Sequence, residues 1–135
     1  MFLVYTEIMR VYLYILAILL AVVTAGLHAY AIENFLYWKY LWFDFIVHLF
    51  AGAMVGLPAY LVLSRFFSPK IALGYAICAA IGVGALWEGF EYYAGLTVVG
   101  EPGFIPDTLQ DFLADTLGGF GSAYLARTLL RKEIR

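Results

Sequence analysis

The chain has 135 residues, of which 64% are hydrophobic and 13% are charged, with a mean hydropathy of +0.88 and a formal net charge of −2. Soluble domains carry about 25% charged residues, so this composition excludes an ordinary water-soluble fold and favours a membrane protein. The net charge gives no attraction to nucleic acid, and the single cysteine, Cys78, excludes an internal disulfide. The length fits one domain, and we predict a single transmembrane domain over residues 1–135.

Four segments are predicted to cross the bilayer, since each offers about 20 mostly apolar residues. They are residues 11–32, 41–64, 71–95 and 107–130. The fourth segment carries three aspartates in its first half, but its apolar residues recur at helical spacing. These residues are Leu109, Phe112, Leu113, Leu117, Phe120 and Tyr124. We therefore predict the all-α class, as an integral membrane bundle of four transmembrane helices.

The first segment has a second interpretation, as a cleaved signal peptide. Ala29, Tyr30 and Ala31 resemble a small-x-small cleavage site. The apolar run before this site is long for a signal peptide, which favours a retained span.

Basic residues predict the orientation of the chain. Only Lys39 lies on one side of a four-span topology, and the other seven lysines and arginines lie on the opposite side. These seven are Arg10, Arg65, Lys70, Arg127, Arg131, Lys132 and Arg135. The positive-inside rule then predicts a multi-pass protein of the plasma membrane with both termini in the cytoplasm. Aromatic residues of the first connection, Tyr37 among them, are predicted to anchor the opposite interface.

Ionisable residues inside the predicted spans give the strongest functional signal. They are spaced three or four residues apart, so each set shares one face of its helix. The sets are Asp44 with His48, Glu88 with Glu91, and Asp111 with Asp115. At about 1.5 Å rise per residue, all three sets lie roughly 5–12 Å below the outer ends of their spans. No lysine or arginine belongs to this layer, so protons, water or metal ions must offset the repulsion.

We interpret this layer as a site for one or two divalent metal ions, formed by Asp44, His48, Glu88, Glu91, Asp111 and Asp115. Carboxylates with an imidazole suit Zn, Mn or Fe, whereas carboxylates and water alone suit Mg or Ca. Asp107 and His28 are weaker candidates, because Asp107 is also suited to cap the fourth helix. The alternative is a hydrated, partly protonated pocket that only ties the helices together.

The order of these residues resembles a known family. The three patterns are Asp44-x-x-x-His48-x-x-x-Gly52, Trp87-Glu88-x-x-Glu91 and Asp107-x-x-x-Asp111-x-x-x-Asp115-x-x-Gly118. Together they are similar to the YjdF-like family of multi-pass membrane proteins and, more distantly, to VanZ-like proteins. The resemblance covers about residues 42–121. It implies the same site residues and assigns no reaction.

Two further features are interpreted structurally. Gly52-x-x-x-Gly56 and Gly118-x-x-x-Ser122 predict close approach between helices. The third connection is unusually apolar, so we predict that it packs over the acidic layer. Its apolar residues are Leu96, Val98, Val99, Phe104 and Ile105.

Three functions remain open at this stage. The first is a metal-dependent hydrolase or transferase acting on a lipid or cell-envelope substrate, with its catalytic residue unassigned. The second is a cation or proton transporter or channel. The third is a structural or partner-binding membrane subunit. Metal content separates the first from the third, and cation flux separates the second from both. The predicted partners are membrane lipids, and no nucleic acid.

Overall fold

The computed structural model describes residues 2–40, 42–97, 100 and 103–131, and its regular structure is helical throughout. The predicted all-α class is thereby confirmed. The helices, in chain order, are α1 (Phe2–Glu33), α2 (Leu36–Lys39), α3 (Trp42–Leu63), α4 (Pro69–Ala94) and α5 (Phe104–Arg131). Each of the four long helices covers one predicted span, and α1, α4 and α5 begin earlier than predicted. Leu41, Val98, Val99, Lys132 and Arg135 lie outside the described residues.

Three of these helices are long and apolar enough to cross a membrane. They are Val4–Glu33 within α1, Trp42–Leu63 and Pro69–Ala94. The fifth helix has a comparable length of 28 residues but is not among the three. Its polarity comes largely from Asp107, Asp111 and Asp115 in its first half.

The central helix of the bundle is α3, which contacts each of the other helices. Gly52 of α3 faces Asp115 of α5, and Gly56 faces Gly119 one turn farther along both helices. The α3 and α5 helices therefore run parallel. Small residues let their backbones touch, since a methyl group on Gly56 would lie 2.6 Å from the Gly119 Cα.

The other two long helices run antiparallel to α3. Arg10, near the start of α1, donates a hydrogen bond of 2.9 Å to the carbonyl of Leu61, near the end of α3. Gly84 of α4 faces Asp115, whereas Ala80 earlier in α4 faces Gly119. The four long helices thus alternate in direction along the chain, as successive spans joined by short connections do.

The predicted close approach of small residues is confirmed for Gly52, Gly56 and Gly118. A methyl group on Gly118 would lie 2.8 Å from the backbone nitrogen of Ala53. Ser122 turns to its own helix instead, where its hydroxyl donates to the Gly119 carbonyl at 3.3 Å. Backbone contact of this kind fixes how α5 is rotated relative to α3, and therefore where the aspartates of α5 point.

The apolar core fills the half of the bundle that holds Arg10. All four long helices contribute buried side chains to it. The members are Leu13, Ala17, Leu57, Tyr60, Leu61, Ala72, Ala76, Ala123 and Ala126. Asp44, His48 and Asp115 lie in the other half of the bundle, beyond this core.

Candidate metal centre

Asp44, His48 and Asp111 come together at the polar end of the α3–α5 contact. Each offers one potential ligand atom, and these atoms lie within 4.8 Å of one another. Asp44 and His48 are four residues apart on α3 and share one face of that helix. Metal–oxygen bonds are about 2.0–2.6 Å long, so donors to one ion lie within about 5 Å of one another. The three side chains meet that condition.

The imidazole of His48 lies between two carboxylates. Its Nδ1 atom lies 3.2 Å from Oδ2 of Asp115, and its Nε2 atom lies 3.6 Å from Oδ1 of Asp44. His48 and Asp115 are 4% and 2% exposed, so this contact is shielded from the surroundings. A metal-binding histidine almost always donates its second ring N–H to a carboxylate or carbonyl, which fixes the tautomer and the ring orientation. Asp115 is suited to this orienting role, because it contacts Nδ1 of His48 while Nε2 faces Asp44.

Two buried carboxylate oxygens have no hydrogen-bond partner among the described residues. They are Oδ1 of Asp111 and Oε1 of Glu88. Asp111 is only 2% exposed, and the second oxygen of Glu88 accepts a hydrogen bond of 3.1 Å from the Thr108 hydroxyl. Leaving a buried acceptor unpaired costs about 1–3 kcal/mol, so native structures rarely do so without a ligand, water or proton.

Glu91 and His28 lie at the mouth of the site and are held by aromatic partners. Oε1 of Glu91 accepts a hydrogen bond of 2.9 Å from the Trp87 indole, and the Tyr37 hydroxyl lies 2.7 Å from Nδ1 of His28. Burial, followed by the charges of Asp44 and Glu91, raises the pKa of the Tyr37 hydroxyl. The phenol therefore stays protonated beside the imidazole of His28.

Sequence reasoning missed Tyr37 and Trp87 as residues of the site. The sequence predicts an interfacial aromatic anchor at Tyr37, and the residue belongs to the short connecting helix α2. Only its half-buried side chain and its hydrogen bond to His28 distinguish it from exposed neighbours such as Trp38. The Trp87-Glu88-x-x-Glu91 pattern was the available signal for Trp87, because the four-residue spacing places the indole beside Glu91.

Asp107 is not among the three grouped ligand residues. Its side chain is exposed, and α5 begins at Phe104, so Asp107 belongs to the first helical turn. The proposed capping role for Asp107 is therefore wrong by position, since a capping residue precedes the helix.

The described part of the third connection does not show the predicted packing over the acidic layer at two positions. The side chains of Leu96 and Ile105 are 69% and 68% exposed, so they do not pack over the acidic residues. Phe104 is half-buried at the start of α5, and the two valines of the prediction, Val98 and Val99, lie outside the described residues. The side chain that lines the cavity from a connection is that of Tyr37.

A cavity of about 240 Å³ adjoins the grouped side chains. Its polar lining is gathered at one end, where residues from α1, α2, α3, α4 and α5 meet. These residues are His28, Tyr37, Asp44, His48, Glu91 and Asp115. Asp44, His48, Glu91 and Asp115 therefore adjoin a ligand-sized space, whereas Asp111 and Glu88 do not line it.

Long apolar helices with ionisable side chains inside the bundle define a multi-pass membrane protein. The family described as "Predicted membrane protein (DUF2238)" matches residues 3–132, and the chain belongs to this family. The YjdF-like resemblance is consistent with that membership, whereas the comparisons give no support for similarity to VanZ-like proteins. No curated protein and no solved structure matches the chain significantly.

Proposed function

We propose that this protein is a four-span membrane protein that binds a divalent metal ion in the outer half of its bundle. The observation that carries the proposal is the Asp111 carboxylate, which is 2% exposed and has an oxygen without a hydrogen-bond partner among the described residues. That carboxylate belongs to a group of three potential ligands. A bound cation would satisfy the orphaned oxygen and offset the repulsion between Asp44 and Asp111.

The assignment of α5 as a fourth span rests on its packing. This helix runs parallel to α3 from the polar end, at Asp111, to the apolar core, at Ala126. Its 28 residues give a length of about 42 Å at about 1.5 Å per residue, which exceeds the hydrocarbon thickness of roughly 30 Å. Its buried aspartates face the bundle interior, where ionisable residues of spans are tolerated.

The orientation follows from the basic residues. Arg10 contacts the end of α3, and Arg65 lies 3.6 Å from Glu7 of α1. These contacts gather basic residues of α1 and the α3–α4 connection at the apolar-core end of the bundle, while Lys39 on α2 lies at the other end. The positive-inside rule then places both termini in the cytoplasm and the metal site towards the outer face of the plasma membrane.

Within this proposal the residues take distinct roles. Asp44, His48 through Nε2, and Asp111 are the ligands, and Asp115 orients His48 through Nδ1. Glu88 supplies a further ligand or a general base, since its Oε1 has no other partner among the described residues. Imidazole with carboxylates suits Zn, Mn or Fe, and Glu91 is the remaining carboxylate available for a second ion.

We assign the site to hydrolysis or group transfer on a phosphoryl or ester substrate. When bound, the metal would polarise an oxygen of such a group and activate a water molecule. Transport of a cation is less well supported, because the inner half of the bundle is closed by the apolar core around Leu57 and Leu61, both fully buried. A purely structural subunit has no need for an unpaired buried carboxylate.

Elemental analysis of the protein, purified in detergent without chelator, tests the proposal. We expect about one divalent ion per chain in the wild type and in Asp107→Asn, whose side chain is exposed on the same helix. Asp111→Asn and His48→Gln should lose the ion. A metal concentration 100-fold above Kd should stabilise the wild type by about 2.7 kcal/mol. A metal-free wild type that binds neither Zn, Mn, Fe nor Mg on titration would refute the metal site.

A further inference from the structure

The cavity next to the metal centre occupies a gap between two helices. Among the described residues, α1 and α4 pack against α3 but make no helix–helix contact with each other. Their side chains meet at the outer end, where the rings of His28 and Trp87 lie in an edge contact with centroids 5.3 Å apart. Below this contact the cavity separates the two helices, and α3 forms its back wall.

The lining of the cavity changes from polar to apolar along the bundle axis. Asp44 and His48 mark the polar end, and Met54 and Val55 of the same helix line the apolar end. Met54 lies ten positions after Asp44 on α3, which corresponds to about 15 Å at about 1.5 Å per residue. The α1 wall of the cavity carries the small side chains of Ala21 and Ala25, and we call the space between α1 and α4 the slot.

The slot is open on the side where α1 and α4 diverge. Ala25 of α1 and Val83 of α4 both line the cavity, and both are exposed, Val83 by 45%. In a bilayer, side chains at this depth meet hydrocarbon and not water. A ligand can therefore enter the slot sideways from the lipid.

We propose that the slot holds one hydrocarbon chain of a membrane lipid whose phosphate headgroup reaches the metal centre. A molecule that fills this cavity must be apolar over most of its length and polar at the end beside Asp44 and His48. The carboxylates alone would repel an anionic headgroup, whereas a bound divalent ion would attract its oxygens. The inference rests on the proposed function and names the substrate class of that same site.

Photolabelling of the full chain in phosphatidylcholine nanodiscs tests the inference. The probe is phosphatidic acid with a diazirine in the middle of one acyl chain, and the comparison probe is diacylglycerol with the same chain, which lacks the phosphate. With metal bound, we expect the phosphatidic acid probe to label the slot around Ala25, Met54 and Val55. Ala25→Trp, which fills the slot, should reduce this labelling at least about tenfold, equivalent to about 1.4 kcal/mol of binding free energy.

Val22→Trp is the matched control, because Val22 lies one turn away on α1 and is 64% exposed outside the cavity lining. It should leave the labelling unchanged. Val83→Trp fills the slot from α4 and provides a second variant if Ala25→Trp does not fold. Both slot variants should retain the wild-type metal content, since neither residue offers a ligand.

The possible failures are distinguishable. Retained metal with equal labelling of wild type and both slot variants would overturn the lipid slot and leave the metal site standing. Equal labelling of the slot by both lipid probes, before and after chelation, would overturn the role of the headgroup. A wild type that binds no metal would overturn the proposed function, and the headgroup proposal with it.

Discussion

Gly84 lies so close to Asp115 that any side chain on this glycine would overlap the carboxylate. A methyl group built on Gly84 would clash with Oδ2 of Asp115 and would lie 3.0 Å from its Cγ. The same oxygen lies 3.2 Å from Nδ1 of His48. Because Gly84 has no side chain, α4 leaves room for the Asp115 carboxylate, which in turn contacts the imidazole of His48.

We expect Gly84→Ala to weaken metal binding by about 10- to 100-fold, the usual effect of losing a carboxylate that orients a metal-binding histidine. The added methyl group displaces the Asp115 carboxylate, because it would otherwise overlap Oδ2 and a close-packed interior leaves no free space beside it. A competition titration with a chromogenic chelator measures the affinity. The control is Gly82→Ala, since a methyl group there meets nothing within 4 Å. Equal affinities in the two variants would show that Asp115 does not depend on the space at Gly84.

Asp115→Asn and Asp111→Asn should differ in severity. An amide at position 111 removes an anionic ligand, so we expect metal binding to be lost. An amide at position 115 still reaches Nδ1 of His48 but orients the ring less strongly than a carboxylate. We therefore expect metal affinity to fall by about 10- to 100-fold. Isothermal titration with Zn or Mn gives both values. Complete loss in Asp115→Asn, with only weakened binding in Asp111→Asn, would reverse the roles and make Asp115 the ligand.

The sequence was sufficient to predict the four long helices, because they follow from apolar length. Helical spacing also indicated that acidic residues of α3 and α5 belong to one site, and the structure groups Asp44, His48 and Asp111. The sequence did not reveal that Asp111 joins Asp44 and His48 while Asp115 lies behind the imidazole. That difference depends on the rotation of α5 against α3, which is fixed by backbone contact at Gly52 and Gly118. Helical spacing shows that both aspartates share a face, but it does not show which one meets Asp44.

The position of Tyr37 was not predictable for a related reason. Aromatic residues at a membrane interface have the same sequence signature whether they face lipid or fold inward. The chain takes a left-handed conformation at Phe35, with φ of 55°, immediately before α2. This turn and the short helix after it bring the Tyr37 hydroxyl to His28, a local geometry that hydrophobic patterning does not encode.

We expect Arg10→Leu to lower the free energy of unfolding by about 1.5–3 kcal/mol, the usual contribution of hydrogen bonds made by a charged group. Arg10 donates to the carbonyl of Leu61 near the end of α3 and lies 3.4 Å from the Ser64 hydroxyl, with a side chain that is 13% exposed. Thermal unfolding in detergent measures the change. Arg65→Leu is the control, because its contact with Glu7 is exposed and such pairs contribute about 0–1 kcal/mol. Equal destabilisation by both variants would contradict a specific role for the Arg10–Leu61 bond.

The four-span topology predicts a definite labelling pattern for single cysteines introduced into a Cys78→Ala background. Glu33→Cys lies at the end of α1 and Gly100→Cys in the connection before α5, so both should react with a membrane-impermeant maleimide in intact cells. Ser68→Cys lies in the α3–α4 connection beside the basic residues and should react only after permeabilisation.

Lys132→Cys, directly after α5, decides whether that helix crosses the bilayer. If α5 spans, this cysteine should behave like Ser68→Cys, because the alternating helix directions return the chain to the cytoplasmic side. The physical reason is that the buried aspartates of α5 face α3 and α4, so the helix presents its apolar residues Leu109, Leu113 and Leu117 outward, with exposures of 62%, 54% and 46%. Such a face is favourable in hydrocarbon and unfavourable in water. Labelling of Lys132→Cys in intact cells, with Ser68→Cys still protected, would show that α5 does not cross the bilayer. The protein would then have three spans, and the metal site would not be enclosed by four of them.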